Sequence, residues 1–352
     1  MRPIIRDLTV CAILLASGAA HAADHVDITW MSITNMLFDF GDTRVLADGY
    51  ITRLPESIFS GGGGVDVTSR AMRPDAAAVR EVYDALGGGR VITQLITGHS
   101  HFDHSFDTPV WAGLTAAPII GSKTTCLQTS AVNPAARCRP VAGGERIDLD
   151  GVRLYVIRWN HSGDPAKNPA QHNPRELGAV PVPDAEGGLR AGVAEDFPNG
   201  GGNRAYLFVV KTPRGPLTIF FQDSASAVDL TVPIVIDGHD YGAPLDNLRR
   251  ALARARLRGV DLWIGTANQD VAALVLPVLK PKAYLPVHWD GLWRPFKDGV
   301  DKPWSDPGLE RALAAAGVAL VAPAQYMDKW RLDRSGVHPL DNSAVKQKLG
   351  FR

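Results

Sequence analysis

Residues 99–104 read His99-Ser100-His101-Phe102-Asp103-His104. Three imidazoles and a carboxylate within six residues can supply ligands to two metal ions at once. Neutral imidazole with carboxylate suits Zn2+, and to a lesser degree Mn2+ or Fe2+. Further candidates follow downstream: His161 in Arg158-Trp159-Asn160-His161-Ser162, Asp223 in Phe220-Phe221-Gln222-Asp223-Ser224, and His288 in Leu285-Pro286-Val287-His288-Trp289. A single histidine or aspartate after a strand is more often a cap or a turn residue. The joint occurrence of all of them is what points to a metal centre.

These residues need rigid elements behind them, and the pattern supplies strands. The run 91–96 is apolar and β-branched, and Gly98 breaks it just before the first ligands. His161 closes an expected strand Val152–Trp159, Asp223 closes Leu217–Gln222, and His288 closes Ala283–Val287. Asp48 follows an expected strand Thr43–Ala47. Every candidate thus sits on a loop at a strand end, a common place for catalytic groups. Other expected strands are Ile28–Ser32, Asn35–Phe40, Arg146–Leu149, Ala205–Lys211, Asp261–Ile264 and Ala319–Val321. Periodic apolar positions predict helices over Pro74–Leu86, Asp246–Arg258, Asp270–Leu276 and Leu309–Ala316. Strands with helices returning between them predict sheets covered by helices. The stretch Ser162–Asn203 is the longest irregular one, and it starts directly after His161, so it reads as a lid or pocket wall. Gly61–Gly64 and Gly200–Gly202 read as flexible loops, because neither has the form of a phosphate-binding motif.

The N-terminus carries Arg2 and Arg6, an apolar run and then Ala20-His21-Ala22. That order of positive region, apolar region and small-residue site predicts a secretory signal peptide over residues 1–22. The apolar run is too short for a permanent span, so no stable membrane insertion is expected after cleavage. An exported chain places Cys126 and Cys138 in an oxidising compartment, where a disulfide between them is expected. Lys plus Arg and Asp plus Glu both count 37. This balance, with no basic stripe interleaved with aromatics, points away from nucleic acid. The oligomeric state has no signature in the sequence.

The order His-x-His-x-Asp-His, then His, then Asp, then His resembles the metallo-β-lactamase superfamily, and Asp48 resembles its early acidic motif. The resemblance spans about Ile28 to Val321. It implies a four-layer αβ/βα sandwich, formed by residues 23–352 as one hydrolase domain with a loop insertion at about 162–203. It also implies that His99, His101 and His161 hold one metal, that Asp103, His104 and His288 hold a second, and that Asp223 bridges the two. Asp48 would then stand behind the ligands and orient one of them. The expected cofactor is two Zn2+ per chain, with iron or manganese as alternatives.

That site would generate hydroxide between two metals, with Asp103 and Asp223 as its catalytic carboxylates. The expected function is an exported dinuclear metal hydrolase whose bridging hydroxide attacks an ester, a lactone or a phosphodiester of a small molecule. The alternative is a periplasmic metallo-β-lactamase acting on β-lactams. A bridging carboxylate at Asp223 favours the former, because it looks like the lactonase and phospholipase D-like branches. Gln222 departs from the Gly-Asp pair common there. His239, Tyr241 and Asp290 are candidate proton donors. Tyr50, His239 and Trp289 are candidate pocket residues, whereas His25, His172 and His338 read as surface histidines.

Overall fold

Strands Val152–Trp159 and Asn203–Val210 pair antiparallel along their whole length, Val152 opposite Val210 and Trp159 opposite Asn203. Successive side chains of a strand point to opposite faces. Leu154, Val156, Tyr206 and Phe208 enter one apolar cluster, and Tyr155, Ile157, Leu207 and Val209 enter another. A sheet buried on both faces gives continuous apolar runs in sequence, as read above.

A computed structural model describes residues 24–88 and 92–351. The signal peptide expected over 1–22 and Val91 of the run before His99 lie outside the described residues. Two large mixed sheets face each other. The first runs, edge to edge, Gly336–Leu340, Asp328–Asp333, Val26–Ser32, Asn35–Asp39, Arg44–Ala47, Gln94–Ile96, Ile119–Gly121 and Cys138–Pro140. The second runs Ala319–Leu320, Ala283–Pro286, Leu262–Gly265, Leu217–Gln222, Asn203–Val210, Val152–Trp159 and Arg146–Leu149. Trp30, Phe38, Val45 and Leu95 of the first sheet share a core with Phe208, Phe221, Ile264 and Leu285 of the second. Outside the second sheet, Leu248, Leu252, Val275, Leu279 and Leu313 of three helices pack on Phe220, Trp263 and Tyr284. Helices Ala76–Ala85, Thr108–Thr115 and Lys123–Val132 accompany the first sheet. This is the expected αβ/βα sandwich.

Element boundaries moved where caps decide them. The first helix begins at Ala76, not Pro74, because the Asp75 carboxylate accepts from the amides of Ala77 and Ala78. The helix expected over Asp246–Arg258 spans Pro244–Ala255, with Pro244 in its first turn and Arg256 left-handed at its end. The helix expected to stop at Leu276 runs through Pro277 to Leu279. Gly61–Gly64, expected as a flexible loop, lies in a turn between the short paired strands Phe59–Ser60 and Val67–Thr68.

The C-terminal hairpin went unread in the sequence. Asp328–Asp333 adds to Val26–Ser32, with Val26 opposite Leu332 and Trp30 opposite Asp328. Its polar face anchors on Asp27, which receives Arg331 at 2.8 Å and Lys329 at 3.0 Å. Among the described residues no helix is long and apolar enough to cross a membrane.

Cys126 and Cys138 are joined as a disulfide, closing a sequence separation of 12. It ties helix Lys123–Val132 to the edge strand Cys138–Pro140. A closed loop of this size stabilises by about 3 kcal/mol in the chain-entropy account. Reduction under non-denaturing conditions is therefore expected to lower unfolding stability by about 2–3 kcal/mol, read from urea midpoints with and without reductant.

Candidate metal centre

The parallel pairing of Arg44–Ala47 with Gln94–Ile96, and of Leu262–Gly265 with Leu217–Gln222 on one side and Ala283–Pro286 on the other, puts their C-terminal ends on one side within each sheet. Asp48, His99, Asp223 and His288 follow those ends directly or within three residues. His161 follows Trp159 of the neighbouring strand. The rims of the two sheets bring together residues more than 180 positions apart, such as Asp103 and His288 at 3.2 Å.

Three groupings have ligand atoms within 4.8 Å of one another: His99, His101 and His161; Asp103, His104 and His288; and His99, His104 and Asp223. In the first, Nε2 of His99 and Nε2 of His101 are buried without a hydrogen-bond partner. Nδ1 of His161 donates to the Ser162 carbonyl at 2.8 Å, which leaves its Nε2 lone pair free. In the second, Oδ2 of Asp103 lies 3.2 Å from Nε2 of His104 and 3.2 Å from Nε2 of His288. Both triads draw on residues 99–104; His99 and His101 precede the short helix Phe102–Ser105, and Asp103 and His104, expected on a loop, lie within it, so the triads are adjacent.

Orphaned buried nitrogens are rare in folded proteins. Here burial, followed by neighbouring histidines, holds His99 and His101 well below the usual imidazole range. Burial and then His101 do the same for His161. Neutral imidazole is the form that ligates metal. Burial opposes charge on His104, yet Asp103, Asp48 and Asp223 outweigh it and hold that imidazole well above its usual range. No Lys or Arg pairs with these three carboxylates among the described residues. Buried carboxylates balanced only by imidazole, next to unpartnered Nε2 atoms, fit divalent cations.

Asp48 contacts His104 from behind. Its Oδ2 is 3.0 Å from Nδ1 of His104 and accepts from Thr34 Oγ1 at 2.5 Å, while Oδ1 accepts from the Gly98 amide at 2.9 Å. This fixes the His104 tautomer with Nε2 facing Asp103. Asp48→Ala is expected to weaken metal binding at the second triad by roughly 10–100-fold, measured by chelator competition with circular dichroism as the folding control.

Asp223, expected as the bridge, groups with His99 and His104. Its Oδ2 is 2.6 Å from Nδ1 of His99 and 3.4 Å from Nδ1 of His104, and its Oδ1 accepts from Asn203 Nδ2 at 3.3 Å. It meets the ring nitrogens opposite the Nε2 atoms of both histidines. In this arrangement the carboxylate orients His99. The neighbouring Gln222 turns the other way and exchanges hydrogen bonds with Thr266, over Gly265, where a Cβ would lie 2.2 Å from Gln222 Nε2. The departure from the Gly-Asp pair is thus accommodated by a glycine on the adjacent strand.

The three pocket candidates are dispersed. Tyr50 is fully buried, its hydroxyl accepts from the Leu54 amide at 2.9 Å, and its ring meets Phe102 edge-on at 5.9 Å. It is a core residue. His239 is exposed beside Tyr241 and lines a separate cavity, away from the metal ligands. Trp289 stacks on Trp30 at 5.5 Å. Asp290, a candidate proton donor, accepts the Ile33 amide with both oxygens at 3.0 Å, while Ile33 accepts from the His288 amide. Asp290 therefore holds the loop that presents His288, which is left-handed at φ 64°.

His172, read as a surface histidine, stands beside the first triad. Its ring is 5.0 Å from that of His161, and its Nε2 is buried without a partner. It arrives on the insertion, in the short helix Pro169–His172. The insertion is ordered as a wall: Ser100, between the first two ligands, donates to the Pro198 carbonyl at 2.6 Å and accepts from the Gly200 amide at 2.9 Å. Leu189, Ala191 and Phe197 bury against Phe102 and Phe106. His172 carried no local signal, because only the return of this insertion brings it to the site. His25 and His338 are surface residues as expected, each near an aspartate.

No family model matches the chain. A UPF0173 metal-dependent hydrolase from Methylobacterium nodulans is 27% identical over 135 residues, covering 38% of this chain and 48% of that protein. The chain thus spans about half the length of this curated relative. The solved structure of Igni18, a metallo hydrolase from Ignicoccus hospitalis, aligns over 88% of this chain and 99% of its own, with a TM-score of 0.50 and 10% identity. The metallo-β-lactamase fold protein YhfI from Bacillus subtilis aligns over 88% and 100%, with a TM-score of 0.46 and 12% identity. The likeness to Igni18 is one of fold.

Proposed function

We propose that this protein is an exported dinuclear metal hydrolase acting on an ester, lactone or phosphodiester of a small molecule. The observation that carries the reading is the pair of adjacent triads, the first with Nε2 of His99 and His101 left unpartnered and the second with Asp103 shared between His104 and His288. His99, His101 and His161 would hold one ion, and Asp103, His104 and His288 the other. Zinc is the expected ion for an imidazole-rich set, and iron or manganese suit the same donors less well. When bound, such ions supply Lewis acidity and lower the pKa of water from ~16 towards ~7.

The chain's own residues do the rest. Asp223 and Asp48 hold the His99 and His104 rings in the ligating tautomer. Asp290 fixes the His288 loop. The insertion walls one side and places His172 next to His161. His288, with its side chain 24% exposed, and the half-buried His161 mark the open side by which a substrate approaches. The expected signal peptide and the disulfide support export.

A side-by-side assay of the zinc-loaded protein tests the proposal, using a chromogenic phosphodiester, an aryl ester, a lactone and a chromogenic cephalosporin, with and without chelator. Chelator-sensitive turnover of one of the first three, with the cephalosporin intact, is expected. Fast cephalosporin turnover would replace this reading with the β-lactamase one. No turnover of any substrate by protein with both metals bound would overturn hydrolysis.

A further inference from the structure

A second cavity, of about 350 Å3, opens between the strand pair Val152–Trp159 and Asn203–Val210 and the hairpin carrying His239 and Tyr241. None of its lining residues is a metal ligand. Arg158 is 3% exposed there, and its Nε and Nη1 are buried without a partner. Its guanidinium makes no hydrogen bond or ion pair among the described residues. It lies over the ring of Tyr241, 4.2 Å from the centroid.

The neighbouring Arg204 shows what a satisfied guanidinium looks like in this wall. Its Nε donates to the Val141 carbonyl at 2.9 Å, Nη1 donates to the carbonyls of Gly200 and Gly202, and Nη2 faces Glu176 at 3.9 Å. The two glutamates of the cavity are already engaged. Glu145 accepts the amides of Ala142 and Gly143, and Glu176 accepts the amide and hydroxyl of Thr124. Both favour the charge on Arg158 from a distance, but neither forms an ion pair with it. Burial and then the nearby Arg204 push Arg158 down to about 9, so it stays charged at neutral pH. An unpaired buried charge is strongly unfavourable, and a guanidinium is the group best shaped to take a planar oxyanion.

We infer that this cavity is a binding site for a small organic carboxylate, held by Arg158. Glu145 and Glu176 in the wall disfavour a dianion, which selects carboxylate over phosphate. Tyr241, Val141 and Ile236 supply apolar surface for a compact body. Lys123, exposed at the rim, adds a second cation.

Isothermal titration of benzoate, and separately of inorganic phosphate, into the metal-loaded protein tests this. His161→Ala is run in parallel to separate binding at the metal centre. Saturable benzoate binding is expected in wild type and His161→Ala alike, at least tenfold weaker in Arg158→Met. Lys123→Gln, which touches no core contact, is expected to weaken it about threefold, and it carries the test if Arg158→Met fails to fold. Absence of binding, equal affinity in the folded Arg158 or Lys123 variants, or tighter binding of phosphate than benzoate would each overturn the assignment.

Discussion

Replacing His161 with alanine is expected to remove one equivalent of metal and to lower kcat/KM by about 10³-fold or more, some 4 kcal/mol of transition-state stabilisation. The first triad has only three protein nitrogens, and two of them, on His99 and His101, are buried with nothing else to bind. Losing the third leaves an incomplete cage. His161 is the most suitable of the three to remove, because it is half-buried and its one hydrogen bond is to the adjacent Ser162 carbonyl. The variant should therefore fold with near-native stability. Elemental analysis gives the metal content, and the same preparation gives the rate. Wild-type metal content with wild-type turnover would exclude His161 from the centre. His288→Ala should act likewise on the second triad, since His288 closes that set at 3.2 Å from Asp103.

Gly98→Ala should rival that effect without touching a ligand. A Cβ at position 98 would lie 2.0 Å from Asp223 Oδ2 and 2.2 Å from its Cγ. Neither distance is compatible with van der Waals contact, so the carboxylate must leave. His99 then loses the 2.6 Å partner that fixes its ring. Overpacking of this kind costs about 1–3 kcal/mol of stability, and loss of the orienting carboxylate costs roughly 10–100-fold in metal affinity or activity. The two terms arise from one overlap, so they are separable. Asp223→Ala creates the space that alanine at 98 needs. The double variant should be more stable than the sum of the singles by at least about 1 kcal/mol. Strict additivity would mean that Asp223 does not occupy the space above Gly98. Asp223→Asn distinguishes the two roles of the carboxylate: with an orienting Asp223 both metals remain, and with a bridging one the dinuclear centre is lost.

The cluster of candidate metal-binding residues was legible in the sequence because its signals are local. Each ligand follows an apolar run, and an apolar run of five to eight residues becomes a buried strand almost regardless of its neighbours. His99 through His104, His161 and His288 were found this way, and so was the sandwich, since strands alternating with amphipathic helices can bury their faces in few arrangements. The disulfide was legible because only two cysteines remain beyond the expected signal peptide. The C-terminal hairpin was not legible. Its strand alternates Lys329, Trp330, Arg331 and Leu332, and this half-polar pattern becomes a strand only against Asp27 and Trp30 of the first strand.

The sequence by itself determined which atoms could bind metal and at which strand ends they would stand. Tertiary structure decided which ring nitrogen each carboxylate meets. Asp223 reaches the Nδ1 side of His99 because position 98, 125 residues earlier, lacks a side chain. His172 joins the site because Ser100 and Phe102 anchor the insertion that carries it. Tyr50 is withdrawn from the pocket because its hydroxyl finds a backbone amide four residues away and its ring finds Phe102. Periodicity fixes the face a residue takes within its own element. The partner on that face is set by packing between elements distant in the chain, and no local pattern encodes it.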